Sequence, residues 1–358
     1  MCAGSDVTLY VPCFNAQATL PECLAAIAAQ TTRPARVMLV DDGSAEPVRS
    51  GPGFDVARHE RNMGLAAARN TALAECRTEL IAAVDADVAP EPAWLERLLA
   101  ALSSAPDLAG VGGRLDERFQ QTAADRWRAV HMAQHWGERP VRRPRFLFGS
   151  NTLLRAAAVR AAGGYDARLR TNNEDRVLSE ALYAAGFELL YEPAARALHL
   201  RRDTHRSILR GFWQWHHTRG LARGDFDSAA GLINRIEEVA FGIFRHRFGL
   251  DMAAGRSELL PLDSAIPWVF ADRDLEFFAK RTGEPTPSFP PQSTLEAAPE
   301  PAARLIRDML SAAPARPASA SRPWHADYIA RFQAALDSSG WREAASGIAP
   351  ALWTAAAR

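Results

Sequence analysis

Short apolar runs alternate with helical patterns through the first third of the chain, and one of those runs constrains the rest more than any other. Leu80-Ile81-Ala82-Ala83-Val84 reads as a buried strand, and Asp85-Ala86-Asp87-Val88 follows it directly. Side chains on a strand repeat every two residues, so Asp85 and Asp87 are expected on the same side. In an open α/β sheet, ligands bind beyond the carboxyl ends of the strands. Two hard oxygen ligands there suit Mn²⁺ or Mg²⁺, and through the ion a phosphate-bearing substrate. An isolated Asp-x-Asp is more often an acidic turn ahead of a helix, so the neighbouring motifs have to decide.

Around this run the pattern is regular. Val7–Val11, Arg36–Val40, Phe54–Arg58 and Leu108–Val111 are expected strands. Thr19–Gln30, Leu65–Cys76 and Trp94–Leu102 are expected helices, the last with Trp94, Leu95, Leu98, Leu99 and Leu102 on one face. Such alternation predicts an α/β fold with a doubly wound, mostly parallel sheet. Further on, Val177–Ala185 and Ser207–Trp215 read as helices and Phe187–Tyr191 as a strand. Leu232–Phe244 and Trp324–Leu336 also read as helical, whereas Gly283–Pro323, rich in Pro, Ala and Ser, reads as an extended wrapping segment.

Composition limits the partners. Formal net charge is zero, so no global field draws nucleic acid or anionic lipid. Lys280 is the only lysine, and an Arg-rich composition weakens arguments from any single Arg. Cys2, Cys13, Cys23 and Cys76 have no paired spacing, which argues against a structural zinc or disulfide framework and for a reducing cytosol. No run approaches the ~20 apolar residues a membrane span requires. The expected setting is cytoplasmic, either free or at the inner face of the membrane.

Two more strand ends carry polar groups: Val11-Pro12-Cys13-Phe14-Asn15 and Val40-Asp41-Asp42-Gly43-Ser44. Carboxylates at such positions can accept from a nucleobase N–H or a ribose hydroxyl. Asn62-Met63-Gly64 then leads into a helix carrying Arg69. Gly64 lets backbone N–H groups approach an anion, and Arg69, one turn in, can reach a phosphate. Taken singly, these are also ordinary turns and helix caps.

Their order is more specific. Val-Pro-Cys-Phe-Asn, Val-Asp-Asp-Gly-Ser, Asn-x-Gly-x-x-x-Ala-Arg-Asn and Asp-Ala-Asp resemble the nucleotide-binding half of the family-2 glycosyltransferases over about residues 7–90. The resemblance resumes at Phe148–Leu182 with Gly149-Ser150-Asn151, Gly163-Gly164-Tyr165-Asp166 and Glu174-Asp175, and no motif is evident after about residue 225. It implies a GT-A fold and inverting transfer of a sugar from a nucleotide-diphosphate donor, most simply a UDP-sugar. By the same resemblance, Asp41 or Asp42 binds base and ribose in a pocket lined by Pro12 and Asn15. Asp87 holds the metal, and Asp85 holds ribose or metal-bound water. Asp175 is the general base, with Glu174 beside it. His199, in Ala197-Leu198-His199-Leu200, is a candidate to complete the metal shell.

The expected organisation is a catalytic domain over 1–225, with donor binding in 1–115 and the acceptor side in 116–225. Residues 226–358 would then form a helical, Pro-rich region packing on that domain or forming a dimer interface. The acceptor expected is a carbohydrate, a lipid-linked sugar or a protein, in cell-surface polysaccharide or glycoconjugate synthesis. A sugar-nucleotide pyrophosphorylase is disfavoured, because Val11–Asn15 has neither the Gly nor the basic residue of its phosphate loop. A dinucleotide enzyme finds only Gly110-Val111-Gly112-Gly113-Arg114-Leu115, with Leu where the last Gly belongs. A non-catalytic sugar-nucleotide-binding protein would most simply lack the metal Asp or the base, and this chain keeps both.

Overall fold

The computed structural model describes residues 3–284, 286, 289–290, 294–295, 299–310 and 323–357. They fall into two compact units. One comprises Met1–Phe119 and Ala133–Arg201, the other Gln120–Met132 and Arg202–Arg358.

The first unit is built on one sheet. Its elements in chain order are β1 (Val7–Cys13), α1 (Leu20–Ala28), β2 (Arg36–Asp41), β3 (Asp55–Arg58), α2 (Leu65–Glu75), β4 (Leu80–Val84), β5 (Val88–Pro90), α3 (Trp94–Ser103) and β6 (Leu108–Glu117). After α4 (Ala123–His131), which belongs to the second unit, follow β7 (Val141–Arg142), β8 (Asn151–Arg155), α5 (Ala156–Ala161), α6 (Glu174–Ala184) and β9 (Glu188–His199). The strand order is β3-β2-β1-β4-β8-β6-β9-β5, with β7 also paired to β9. Strands β1 to β4, β6 and β9 run one way, and β5, β7 and β8 run against them. The sheet is thus mixed and mostly parallel, with helices on both faces, in agreement with the expected GT-A class.

Alternation on the strands divides the core. Val7, Leu9, Val11 and Cys13 of β1 face α1 and α3, whereas Tyr10 faces the α2 side with Met38 and Val40. The antiparallel insertions were not expected. β5 spans three residues and contains Pro90, and β8 follows the Gly149-Ser150 turn, so neither carries a long apolar run. β6 and β9 run well past their expected ends at Val111 and Tyr191, reaching Glu117 and His199 through an irregularity between Gly113 and Arg114. The Gly110–Gly113 stretch lies inside β6. A Cβ at Gly113 would come within 2.1 Å of the Ala195 carbonyl oxygen. These glycines serve close strand packing, and they do not form the strand-to-helix turn a dinucleotide site needs.

The second unit is helical. To α4 it adds α7 (His205–Arg223), α8 (Ala229–Arg235), a π-helical stretch Ile236–Phe241, α9 (Gly242–Ala253), α10 (Leu260–Thr282), α11 (Glu300–Leu310), α12 (Pro323–Ser338), α13 (Trp341–Gly347) and α14 (Pro350–Ala356). One apolar core joins Trp127 of α4, Phe212 of α7 and Trp268 of α10 with Ile306, Phe332, Trp341 and Trp353 of the last four helices. The division of the chain falls at 201/202 rather than near 225, because Ile208, Leu209 and Phe212 of α7 pack into this core. Trp268, Phe270, Phe278, Tyr328, Phe332, Trp341 and Trp353 are buried in this core, with Phe277 and Trp324 partly buried against it. Residues 300–310, expected to be part of an extended segment, are a helix; most of the rest of that stretch, including 311–322, lies outside the described residues. Cys13, Cys23 and Cys76 are buried free thiols, and Cys2 lies outside the described residues. No helix among the described residues is long and apolar enough to cross a membrane.

Candidate active site

The strand carrying the Asp-x-Asp motif ends at Val84, and residues 85–87 turn, closed by a 2.9 Å bond from Val88 N–H to the Asp85 carbonyl. The two carboxylates therefore meet different partners. Asp85 Oδ1 accepts from Arg69 Nη2 at 3.0 Å, and Asp87 Oδ2 lies 3.3 Å from His199 Nε2.

Arg69 is the hub of the first group. It is 1% exposed. Its Nε donates to Glu174 Oε1 at 3.1 Å, and its Nη1 donates to Tyr10 Oη at 3.2 Å and the Gly149 carbonyl at 2.9 Å. Burial alone would weaken its charge, but Tyr10, Asp85 and Glu174 hold the guanidinium protonated. Arg69 thus ties Asp85 to Glu174 and does not present an open fork to a phosphate.

The neighbouring acids divide their roles by burial. Glu174 is 2% exposed, and its Oε2 has no hydrogen-bond partner. Burial, then the charge of Asp175, push its carboxyl up to about 7. Asp175 is only partly buried. Its oxygens accept from Gly149 N–H at 2.9 Å and Arg176 N–H at 2.7 Å, yet burial still raises its pKa. Of the two residues expected at the catalytic position, Glu174 is committed to Arg69 and Asp175 retains access to solvent. Gly149 makes this approach possible, since a Cβ there would lie 3.0 Å from Arg69 Nη2 and 3.1 Å from Asp175 Cβ.

The second group is Asp87, His199 and Glu117. Strand pairing sets Val88 and Glu117 on either side of His199. Burial opposes ionisation of Asp87, but the bond and charge of His199 hold its carboxyl below the usual range. Burial likewise opposes protonation of His199, but Asp87 and Glu117 raise it to about 9. Two carboxylates flank one imidazole, and the charge of Arg201 also acts on Asp87. Carboxylate oxygen and imidazole nitrogen are donors that suit Mn²⁺. Asp87 and His199 therefore fit a divalent cation.

The residues at the ends of β1 and β2 do other work than expected. Asp41 is fully buried and accepts from Ser44 N–H, Val48 N–H and Arg58. Although burial opposes it, these bonds hold its carboxyl low. Asp42 accepts from Met63 N–H at 2.7 Å, Gly64 N–H at 2.8 Å and His59 Nδ1 at 2.7 Å. Both aspartates fasten loops, so neither is open to a base or ribose. Because Asp42 takes the Gly64 N–H and the Arg170 carbonyl takes the Leu65 N–H, the start of α2 is not open to an anion either. Asn15, at φ 51°, bridges to the β2 loop through Ala45 N–H and Ser44 Oγ. Pro12 is buried on β1 opposite Val40.

A second His/Asp/Asp group lies in the helical unit: His131, Asp251 and Asp263, all buried, with ligand atoms within 4.8 Å of one another. Arg256 Nε donates to Asp251 at 2.7 Å, and Arg247 Nη1 sits 3.3 Å from His131 Nδ1. Burial, then the charge of Asp251, push Asp263 well above the usual carboxylate range. With two guanidiniums already facing it, this is a buried ion-pair cluster and a poor cation site.

Parts of the chain are similar to known glycosyltransferases. Residues 8–161 match the model of the glycosyl transferase family 2. The pre-mycofactocin glycosyltransferase of Mycobacterium tuberculosis is 34% identical over 217 residues, covering 57% of this chain and 44% of that protein. A glucosyl-dolichyl phosphate glucuronosyltransferase of Haloferax volcanii is 25% identical over 224 residues, covering 55% of this chain and 71% of that protein. Among solved structures, S. aureus TarS 1-349 aligns with a TM-score of 0.48 at 14% identity, covering 94% of this chain and 91% of that one. This chain spans about half the length of the mycobacterial relative. Its likeness to the family-2 glycosyltransferases lies in residues 8–161.

Proposed function

We propose that the chain is an inverting, metal-dependent glycosyltransferase that moves a sugar from a nucleoside-diphosphate donor, most simply a UDP-sugar, to an acceptor hydroxyl. The observation that carries this reading is the pair of groups set by the ends of β4, β6 and β9 and the start of α6. One is Asp87 with His199, suited to a divalent ion; the other is Asp85–Arg69–Glu174, with Asp175 alongside. A divalent ion bound by Asp87 and His199 would supply charge to offset the leaving nucleoside diphosphate. Asp175 takes the acceptor's proton, because a sugar hydroxyl is a poor nucleophile until that proton is removed. Its raised pKa suits the task, and the two backbone N–H bonds fix its orientation while leaving lone pairs for the acceptor. Arg69 and Glu174 position Asp85 and the Gly149 turn. The acceptor is a carbohydrate, a lipid-linked sugar or a protein, and the product part of a cell-surface polysaccharide or glycoconjugate. The setting is cytoplasmic, at the inner membrane face or as a free homodimer.

Donor hydrolysis and donor binding, each measured with and without Mn²⁺, test the reading. A cognate donor at about 100 times its dissociation constant should stabilise the fold by about 2.7 kcal/mol, which a thermal-shift screen of UDP-, GDP-, dTDP- and CMP-sugars resolves. Asp87→Ala should abolish the Mn²⁺-dependent part of nucleotide binding and leave the metal-free melting temperature unchanged. Unchanged Mn²⁺-dependent affinity in that variant would remove Asp87 from the metal site.

A further inference from the structure

Glu117 is an acid where the strand pattern calls for an apolar side chain. It ends β6 two residues after Leu115, which points into the apolar core. Side chains two apart on a strand share a face. Glu117 is 9% exposed, and its two carboxylate oxygens lie 3.0 and 2.9 Å from His199 Nδ1. A buried carboxylate is costly unless paired, and His199 is a partner that both of its oxygens reach. The backbone around that partner is pinned from both sides. Arg118 N–H donates to the His199 carbonyl at 3.2 Å, and Leu200 N–H donates to the Asp87 carbonyl at 2.7 Å. With Nδ1 turned toward Glu117, Nε2 is the nitrogen left facing Asp87. A histidine ligand whose other ring nitrogen donates to a carboxylate is held in one tautomer and one orientation, and is made more basic.

We propose that Glu117 is a positioning residue of the metal site: by accepting the Nδ1 proton of His199 it keeps the Nε2 lone pair aimed, beside Asp87, at the divalent ion. The inference rests on the reading of Asp87 and His199 as metal ligands given above. No short motif marks Glu117, which lies 30 residues from Asp87 and is brought to the site by the pairing of β6 with β9.

Mn²⁺ titration followed by the EPR signal of the free ion, in the presence of UDP, tests it. Glu117→Met fills the inward-facing position without an acceptor and should weaken Mn²⁺ binding about 10- to 100-fold. Glu117→Gln keeps an acceptor oxygen and should recover most of that loss. On a His199→Ala background, Glu117→Met should cost nothing further. The metal-free melting temperature separates a folding defect from a ligand defect. Wild-type Mn²⁺ affinity in Glu117→Met overturns the proposal. So does an equal loss on the His199→Ala background, or a loss that Gln does not relieve. A wild-type chain that takes up no Mn²⁺, or one indifferent to both Asp87→Ala and His199→Ala, overturns the metal reading and this proposal with it. Dependence on Asp87 and His199 without dependence on Glu117 overturns the proposal alone.

Discussion

Neighbouring carboxylates at the start of α6 show how burial assigns chemistry that residue type leaves open. Glu174 and Asp175 read alike in the sequence; the structure puts one against Arg69 and leaves the other at the surface of the site. Asp175→Asn keeps the size and removes the proton acceptor. Turnover should fall by about 10²–10⁴ with donor affinity nearly unchanged, a result that steady-state kinetics with independent donor-binding measurements would check. Glu174 has a different signature. The unfolded chain releases this proton near 4.5 and the folded one near 7. Between those values the native state holds a proton that the unfolded state has lost, so stability falls as pH rises through the window. Asp175 contributes with the same sign. Glu174→Gln should flatten the slope without removing it, seen as a smaller drop in urea midpoint between about pH 5 and about pH 8. The other acids show where sequence reading stops. Asp41 and Asp42 sit at a strand end, as ligands of a nucleotide would. Their partners, however, are the side chains of Arg58 and His59 and backbone N–H groups as distant as Gly64, 22 residues on, and no pattern reports which donors a loop will bring back.

At the scale of elements, long amphipathic or apolar segments were legible and short or irregular ones were not. Trp94–Ser103 and Leu80–Val84 form as their patterns predict. Three-residue β5 carries too few positions to show a period. β9 continues past Tyr191 through Glu192, Pro193 and Arg196, residues that a strand reading discounts. α11 was hidden by its flanks. Pro301 stands in its first turn, where proline is tolerated, and Ala302, Ala303, Leu305, Ile306 and Met309 form a buried stripe. Averaged with the Pro-rich residues on either side, that stripe vanishes. Ile306 is fully buried in the helical core. Ile306→Ala should cost about 2–5 kcal/mol, measurable as a lower urea midpoint for the helical unit, whereas an exposed position such as Arg304 changed to Ala should cost little.

On the scale of the whole molecule, the helical unit draws its one core from residues as far apart as Ala123 and Ala356. Truncation near residue 283 removes Leu305, Ile306, Tyr328, Phe332, Trp341 and Trp353 from the same cluster as Trp268. The shortened chain should lose a cooperative thermal transition and solubility. A truncated chain that melts as before and stays soluble would show those helices to be dispensable. The family-matched segment, 8–161, is likewise not a unit that can stand alone, since β9 (188–199) lies between β6 and β5 in the sheet. The path of the chain also sets a timetable for synthesis. α4 leaves the ribosome early, but its indole at Trp127 waits for Asp263, 136 residues downstream, and His131 waits for Asp251, 120 downstream. At about 5–20 residues per second, that interval is on the order of ten seconds. For its whole duration the nascent chain displays the apolar face of α4 without the partners that cover it, which makes this helix a stretch in need of a chaperone's cover.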